Sequence, residues 1–554
     1  MKTNKMILSA GILALALASC TDLDVAVDSQ YTSLPGSPAA SNATMNDLYV
    51  RFKGTLGRRY MEATCLSSDE YTSLAYSGNW VDSYTYAHSA FHNYSEEDAV
   101  LDWMENLGAA NVAAQDIANS DATDEVKALA RVMRAFHTFL MMDMWGDVPV
   151  ADFVYLQEHN LPDDNRVPRP EVAKYIESEL LDIIDLLPTD VFGENYGKPT
   201  KYMAQALLAK LYINWPVYTA ESVDLYDAAT ATNEKLEDCI KLCDDIINAN
   251  VFALGPDEYR FKFNHDNSER VKAGTIKDFI YVMAYDTNMD GDNSMQWGRS
   301  HVYKDVKKLN PSMFGEFLNN SGGAYITLTP ECSERFTLKN DQRNWMIIGL
   351  EDKDHNPANG QVYVYDPVTL LPTDEKVIDR EGNPLVYTKD INVTGEKASV
   401  DVGDDTEGWR QGYRSAKWFI CNNDFSNGRR QSNDVPFFRY ADILLTKAEA
   451  LVRSNKSGAK DLVNEIRSYA GTTDLLTAEA TLDDVYMERG REFFDELWRR
   501  NDMIRFGHYE DNWFPHYNTG VFAEFANFDK TRRIFPIKKG DLDVNPTWSQ
   551  NPGY

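Results

Sequence analysis

Basic residues are scarce in this sequence compared with acidic ones. The chain of 554 residues contains 55 Lys and Arg against 86 Asp and Glu, which gives a formal net charge of −31. Proteins that bind nucleic acid need a stripe of Lys and Arg that neutralises phosphate groups, and this sequence has none. The composition therefore argues against nucleic acid as a partner and leaves neutral sugars, peptides and cations.

Cysteine is rare as well. Five of the six cysteines follow Cys20, and an odd number cannot form a complete set of disulfides. Cys239 and Cys243 share one face of a predicted helix, LEDCIKLCDDII. We interpret them as buried apolar thiols; a metal pair is the alternative, but no His lies nearby to complete such a site.

The sequence also lacks the motifs of common catalytic sites. H-E-x-x-H, G-x-S-x-G, G-x-x-x-x-G-K and G-x-G-x-x-G are all absent. Paired carboxylates hydrolyse glycosidic bonds, but among 86 acidic residues some pair occurs by composition alone. We therefore expect a binding protein without a cofactor rather than an enzyme.

Long apolar runs are absent apart from one at the amino terminus. Residues 1–20 place two lysines before the run ILSAGILALALA, which is too short to stay in a bilayer as a spanning helix. The run ends in Leu-Ala-Ser-Cys, which resembles a bacterial lipobox. That resemblance implies a signal peptide over residues 1–19 and a lipid on Cys20; an ordinary cleaved signal is the alternative. Residues 20–40, rich in Ser, Thr, Pro and Ala, then form a tether.

Helical periodicity dominates residues 41–255. The predicted helices cover residues 43–56, 97–118, 124–144, 170–187 and 201–218. Helix pairs recur at irregular spacing through this part and again near the carboxyl terminus. This recurrence predicts a mainly α fold, a tetratricopeptide-like scaffold of degenerate helical hairpins. His137 lies in one of these helices, where we expect a core histidine rather than a catalytic base.

Residues 256–434 have a different character. Gly, Asn and Asp increase, helices become sparse, and short strand-like runs occur at residues 279–283 and 361–365. We interpret this part as a loop-rich insertion that contains short strands. Loops held by a rigid scaffold commonly carry binding residues, so we expect ligand contacts here. Residues 435–554 return to a helical pattern and complete the same globular domain.

The most distinctive stretch covers residues 437–507. It reads FFRYADILLTKAEALVRSN, then AKDLVNEIRSYAG, then TLDDVYMERGREFFDELWRRNDMIRFG. Its apolar spacing predicts a helical hairpin and then a third helix, for which Thr481 is the N-cap and Asp484 a first-turn acid. Charges of both signs alternate at i, i+3 and i+4 along this third helix, so we expect them to pair on a solvated surface. They are Glu488, Arg489, Arg491, Glu492, Glu496, Arg499, Arg500, Asp502 and Arg505.

Several motifs in this sequence resemble those of the SusD/RagB family. They are RYADILLTKAEAL, N-E-I-R, E-R-G-R-E-F and R-x-x-D-M-x-R-F-G near the carboxyl terminus, R-A-F followed by W-G-D-V-P in residues 134–149, and the closing F-P-I and N-P-G-Y. One departure is Leu497, where many members have Gly. The resemblance implies a lipid-anchored, surface-exposed protein of the outer membrane, which captures glycan for a SusC-like TonB-dependent transporter. Peptide capture of the RagB kind, and a tetratricopeptide-like interaction module without a small ligand, are the alternatives.

Three aromatic clusters are candidates for sugar binding. Trp and Tyr rings stack on the C–H faces of pyranose rings, while amide, carboxylate and guanidinium groups bind the hydroxyls. The clusters are Trp80 with Tyr76, Asn79, Asp82 and Tyr84; Trp297 with Gln296, Arg299 and Tyr303; and Trp409 with Tyr413. The family resemblance implies a ligand platform on a loop after the first helix and on loops of the insertion, which corresponds to Trp80 and Trp297. Ordinary packing is the alternative for each aromatic.

A calcium loop is a further hypothesis. Oxygen ligands occur at alternate positions of residues 286–292, as such a loop requires. These ligands are Asp286, Asn288, Asp290 and Asp292. Trp297 stands at the twelfth position, where a bidentate Glu is expected, so an acidic turn is the alternative. A bound calcium ion would fix Trp297 for stacking.

Overall fold

The computed structural model of the chain has a mainly α fold with short strands, as predicted. The described residues are 45, 48, 49, 53, 56, 60–75, 103–285, 310, 311, 317, 318, 326–379, 381–391, 400, 401, 407–419, 431–514 and 529–554. Within these ranges no helix is both long and apolar enough to cross a membrane.

Helices of very different length alternate with strands of two to five residues along the chain. The α-helices are α1 (Met61–Leu66), α2 (Trp103–Ala118), α3 (Asp124–Trp145), α4 (Phe153–Glu158), α5 (Arg169–Ile183), α6 (Lys201–Ile213), α7 (Trp215–Thr219), α8 (Leu236–Asn248), α9 (Asn267–Lys272), α10 (Pro330–Glu334), α11 (Tyr440–Arg453), α12 (Ala459–Tyr469), α13 (Leu482–Glu492), α14 (Arg499–Phe506) and α15 (Lys539–Val544). The strands are β1 (Tyr71–Ala75), β2 (Phe279–Met283), β3 (Asn310–Pro311), β4 (Phe317–Leu318), β5 (Ile326–Leu328), β6 (Ile347–Ile348), β7 (Tyr363–Tyr365), β8 (Pro372–Lys376), β9 (Val400–Asp401), β10 (Arg414–Ser415) and β11 (Val435–Arg439).

Helix α3 has boundaries that local chemistry explains. The Thr123 side chain accepts the backbone N–H of Val126 at its start, and Gly146, with a φ of +74°, ends it. The helix predicted over residues 124–144 is therefore confirmed and extends one residue further. His137 is fully buried within it, as expected for a core histidine.

Neighbouring helices pack around one large hydrophobic core, beside which two smaller clusters of buried residues lie. Helix α2 packs on α3, α3 on α5, α6 on α8, and α8 on α11, which in turn packs on α12. Cys239 and Cys243 of α8 are fully buried, and the Cys239 thiol donates to the Ala209 carbonyl of α6. The prediction of buried thiols is confirmed. The tetratricopeptide-like character of the helix pairs stays a prediction.

The predicted third helix near the carboxyl terminus is interrupted and forms two helices. Thr481 and Asp484 form a capping box that starts α13, so the predicted start is confirmed. The helix ends at Glu492, and α14 begins only at Arg499. Asp495, between them, has a left-handed φ of +58°, which a continuous helix cannot contain. The single helix was wrong because the charge and apolar spacing continue across this break.

The nine charged residues that were predicted to pair on a solvated surface are buried, so this prediction is wrong. All nine have at most 4% of their surface exposed. Arg489 lies between Asp442 and Asp502, at 2.9 and 2.8 Å. Arg505 binds Asp502 at 2.6 Å and Glu449 at 2.8 Å. Charges removed from water require such partners, and in this interior the partners include residues of α11.

Arg439, the last residue of β11, is the centre of a second buried charge cluster. It donates to Asp278 at 2.8 Å, to Glu492 at 2.9 Å and to Glu496 at 2.8 Å. Lys262 also binds Asp278, at 2.6 Å. This cluster joins β11, the chain before β2 and the end of α13 in one interior.

Candidate functional site

Most of the predicted ligand contacts lie outside the described residues. These are Tyr76, Asn79, Trp80, Asp82, Tyr84, Gln296, Trp297, Arg299 and Tyr303, together with Asp286, Asn288, Asp290 and Asp292 of the calcium hypothesis and the predicted lipidation site Cys20. Among the residues that are described, no group of three or more His, Cys, Asp or Glu side chains is placed to hold a metal ion. The strands that precede these contacts in the chain are described. Strand β1 ends shortly before Trp80, and strand β2 ends before Trp297.

A three-stranded sheet with the order β5–β1–β9 locates the base of the Trp80 segment. Strand β1 is antiparallel to β5, with Ser73 opposite Ile326, and parallel to β9, with Ala75 opposite Asp401. The chain therefore leaves β1 after Ala75 at the same end of the sheet where it enters β5 and leaves β9. Strand β1, whose last residue Ala75 is five residues before Trp80, therefore lies beside two strands from different parts of residues 256–434.

Strands β2 and β11 locate the base of the Trp297 segment. They pair in antiparallel fashion, with Met283 opposite Val435. Tyr285, the residue before Asp286, donates its backbone N–H to Asp434 at 2.7 Å and its hydroxyl to the Lys53 carbonyl at 2.8 Å. The predicted strand over residues 279–283 is confirmed, and its end is held by side chains that no sequence motif indicated.

Trp409 is a core residue, which corrects its assignment as a stacking surface. Its side chain has no exposed surface, and its carbonyl accepts a hydrogen bond from Arg414 at 2.9 Å. Gly412 nearby has a φ of +70°, and a Cβ there would lie 1.9 Å from the Thr327 hydroxyl. This tight approach holds the turn against β5. Because Trp409 has no exposed surface, it offers no ring face to a sugar. Tyr413 is also buried, with 8% exposed.

A shallow cavity of about 320 Å³ lies between α10, α13, α14 and the residues after α14. His508 stacks on Tyr486 along it, with 4.4 Å between ring centroids. Asp69 binds Arg499 at 2.7 Å and Arg335 at 3.2 Å. Burial raises the pKa of Asp69, but the two guanidinium groups outweigh burial and lower it to about 2. Because these charges pair with one another, we interpret the cavity as the outer edge of the buried charge clusters.

Comparisons with known protein sequences agree with this architecture. The profile of the SusD family matches residues 277–554, and a SusD-like profile described as starch-binding and associating with the outer membrane matches residues 23–213. Starch-binding protein SusD of Bacteroides thetaiotaomicron is 25% identical over 447 residues, which cover 77% of this chain and 72% of that protein.

Solved structures share the fold. Surface glycan-binding protein A of Bacteroides thetaiotaomicron has a TM-score of 0.66 at 17% identity, covering 93% of this chain and 99% of that one. Its complex with laminarihexaose has a TM-score of 0.62 at 17% identity and the same coverage. A SusD superfamily protein of Parabacteroides distasonis has a TM-score of 0.62 at 18% identity, covering 93% of this chain and 99% of that one. At these identities the similarity concerns the fold alone.

Proposed function

Because this chain belongs to the SusD family, we propose that it is a cell-surface lipoprotein that binds glycan and delivers it to a SusC-like TonB-dependent transporter of the outer membrane. The observation that carries the proposal is the β5–β1–β9 sheet. Ala75 and Asp401 are paired there, so the segment with Trp80 starts beside the insertion, where we expect the other ligand contacts. A relative that binds starch and a fold neighbour solved with laminarihexaose support glycan as the ligand class.

The proposed mechanism is reversible capture without cleavage. Trp80 and Trp297 stack on sugar rings, and stacking on an aromatic face removes apolar C–H surface from water. Asn79, Asp82, Gln296 and Arg299 bind the hydroxyls, whose lost hydrogen bonds to water must be replaced. Tyr76, Tyr84 and Tyr303 extend the aromatic surface. Incubation with the bound glycan is expected to release no shorter sugar.

Membrane attachment is proposed through Cys20. A lipidated cysteine followed by a polar tether would hold the folded body near the bilayer, and several acyl chains on one residue give stable anchoring. The transporter would then lie within reach of the same tether. Replacing Cys20 with Ala is expected to release the protein from the membrane fraction without changing its affinity for glycan.

Calcium is proposed as a structural aid rather than as a cofactor for chemistry. Asp286, Asn288, Asp290 and Asp292 would supply its oxygen ligands and so fix the position of Trp297. A titration of glycan affinity with a chelator tests this hypothesis, because removal of calcium should weaken binding. An unchanged glycan affinity at saturating chelator would refute the calcium hypothesis and favour the alternative, an acidic turn.

The experiment for the main proposal is affinity electrophoresis of residues 21–554. The protein is run through gels that contain starch, laminarin or another polysaccharide, beside the double variant Trp80→Ala, Trp297→Ala. Retardation by one glycan, lost in a double variant that keeps its circular dichroism spectrum, is the expected result. Trp345→Ala is the matched control, because Trp345 is half-buried and stacks on His355 instead of on a predicted platform.

Two outcomes would contradict the proposal. Migration unaffected by every polysaccharide, together with binding of mixed peptides, would identify peptide capture. Loss of retardation in Trp345→Ala but not in the double variant would place the ligand elsewhere. Co-purification with a TonB-dependent barrel from the native membrane tests the transporter separately.

A further inference from the structure

Asp434, the residue before β11, has a fully buried side chain that holds two different parts of the chain. Its Oδ1 accepts the backbone N–H of Tyr285 at 2.7 Å, and its Oδ2 accepts the Tyr196 hydroxyl at 2.6 Å. Tyr285 lies two residues after the end of β2, while Tyr196 belongs to the turn before α6. One carboxylate therefore joins the helical part of the protein to the start of the segment predicted to carry Trp297.

The backbone of Asp434 is held as firmly as its side chain. The Asn267 side chain accepts the Asp434 N–H and donates to the Asp434 carbonyl, both at 2.9 Å. The neighbouring Asn433 donates to the carbonyls of Phe263 and Phe419, at 2.8 and 2.9 Å. Because these contacts fix the backbone that carries the carboxylate, they help to hold the acceptor of the Tyr285 N–H in place.

The charge state of Asp434 is sensitive to its surroundings. Burial raises its pKa to about 6, because water no longer solvates the carboxylate. The hydrogen bonds from Tyr196 and Tyr285 oppose this shift, as do the positive charges of Lys53 and Lys272. Tyr196 lies in the turn before α6, Tyr285 follows β2, Lys53 lies before α1, and Lys272 is the last residue of α9. With a pKa near 6, the side chain changes from charged to neutral between pH 7.5 and pH 5.

We propose that Asp434 is a positioning residue whose ionised carboxylate fixes Tyr285, two residues after β2 and directly before the segment in which ligand contacts are proposed. A charged acceptor makes shorter and stronger hydrogen bonds than a neutral one. Protonation therefore weakens both contacts and loosens the end of β2. The link to ligand binding rests on the function proposed above, whereas the hold on Tyr285 does not.

Amide hydrogen exchange tests the hold on Tyr285 without any ligand. The measured quantity is the protection factor of the Tyr285 amide, which is its exchange rate relative to the intrinsic rate at the same pH. In the wild type this factor is expected to fall about tenfold from pH 7.5 to pH 5, as a charge-assisted bond is lost. In Asp434→Asn it should be low at both values. Glycan affinity should follow the same pattern.

Two further variants make the comparison specific. Asp366→Asn is the matched control, because Asp366 also accepts backbone N–H groups, from Val368 and Thr369, but in an exposed turn. The Tyr285 protection factor of this variant should depend on pH as it does in the wild type. Tyr196→Phe removes one donor and leaves the Tyr285 contact, so it should retain the pH dependence with a smaller loss of protection.

A protection factor of Tyr285 that is the same in Asp434→Asn and in the wild type at both pH values would overturn the proposal. A pH dependence that persists unchanged in Asp434→Asn would also overturn it, because another group would then be responsible. A wild type that binds no glycan would refute the function proposed above, and the protection factors would still decide the role of Asp434.

Discussion

Replacement of Arg439 with methionine tests whether the buried charges hold the protein together. Methionine fills much of the space of the arginine side chain but removes its charge and all its donors. Arg439 is 1% exposed and binds Asp278, Glu492 and Glu496 at 2.8 to 2.9 Å. The variant leaves three buried carboxylates without their shared cation.

The expected loss follows from what each carboxylate retains. Asp278 keeps Lys262 at 2.6 Å, and Glu496 keeps Lys417 at 2.6 Å. Glu492 keeps Arg343 at 3.3 Å. All three carboxylates therefore keep a positive neighbour, but the cluster loses several charge-assisted hydrogen bonds in a place that water does not reach. Breaking a buried ion pair by removing one partner costs about 3–5 kcal/mol, and we expect a loss of unfolding free energy in this range.

Urea unfolding followed by circular dichroism measures this loss as a lower midpoint. Lys241→Met is the matched control, since the Lys241–Asp245 pair lies on the exposed face of α8 and should leave the midpoint unchanged. Added salt should not restore Arg439→Met, because buried charges are poorly screened. A midpoint equal to that of the wild type would refute the argument that these charges are structurally coupled.

The remaining predictions concern two other buried residues. Burial raises the pKa of Glu70 to about 8, with Asp69 and Asp495 adding to the shift and Arg335 opposing it. Below the unfolded pKa near 4.5 the stabilising contribution of protonated Glu70 is complete, and it is lost as the pH rises through 8. The unfolding free energy of the wild type should therefore fall by on the order of 4 kcal/mol between pH 5 and pH 9. The Glu70→Gln variant should not show this fall. Parallel pH profiles of the two proteins in urea unfolding would contradict this. Trp409→Ala should cost about 3–5 kcal/mol of unfolding free energy through the cavity it leaves, with unchanged glycan affinity at temperatures where it is folded. If a folded Trp409→Ala protein binds glycan more weakly than the wild type, Trp409 contributes to the ligand site after all.

Local chemistry made several elements predictable. Helix α3 follows from its apolar periodicity, the Thr123 cap and the Gly146 stop, all of which lie within or next to the helix. The capping box of Thr481 and Asp484 needs only four consecutive residues. The strand over residues 279–283 was also identified from a short apolar run. The family motifs were recognised for the same reason, since each is a short contiguous stretch.

Burial of charge was not predictable in this way. Alternating charges at helical spacing look the same whether their partners are on the same helix or elsewhere in the fold. Arg499 binds Asp69 from 430 positions away, and Arg439 binds Asp278 from 161 positions away. Trp409 was misassigned for a related reason, because its loop-rich surroundings in the sequence suggested a surface position, whereas in the folded protein it has no exposed surface.

The sequence by itself determined the helical class, the family membership and the segments in which ligand contacts are expected, because periodicity, caps and motifs are properties of neighbouring residues. Only the tertiary structure decided that the charges of α13 and α14 form an interior, that Trp409 belongs to the core, and that Asp434 meets Tyr285 and Tyr196. These outcomes depend on contacts between residues far apart in the chain. The spacing of residues along one strand or helix does not reveal such contacts.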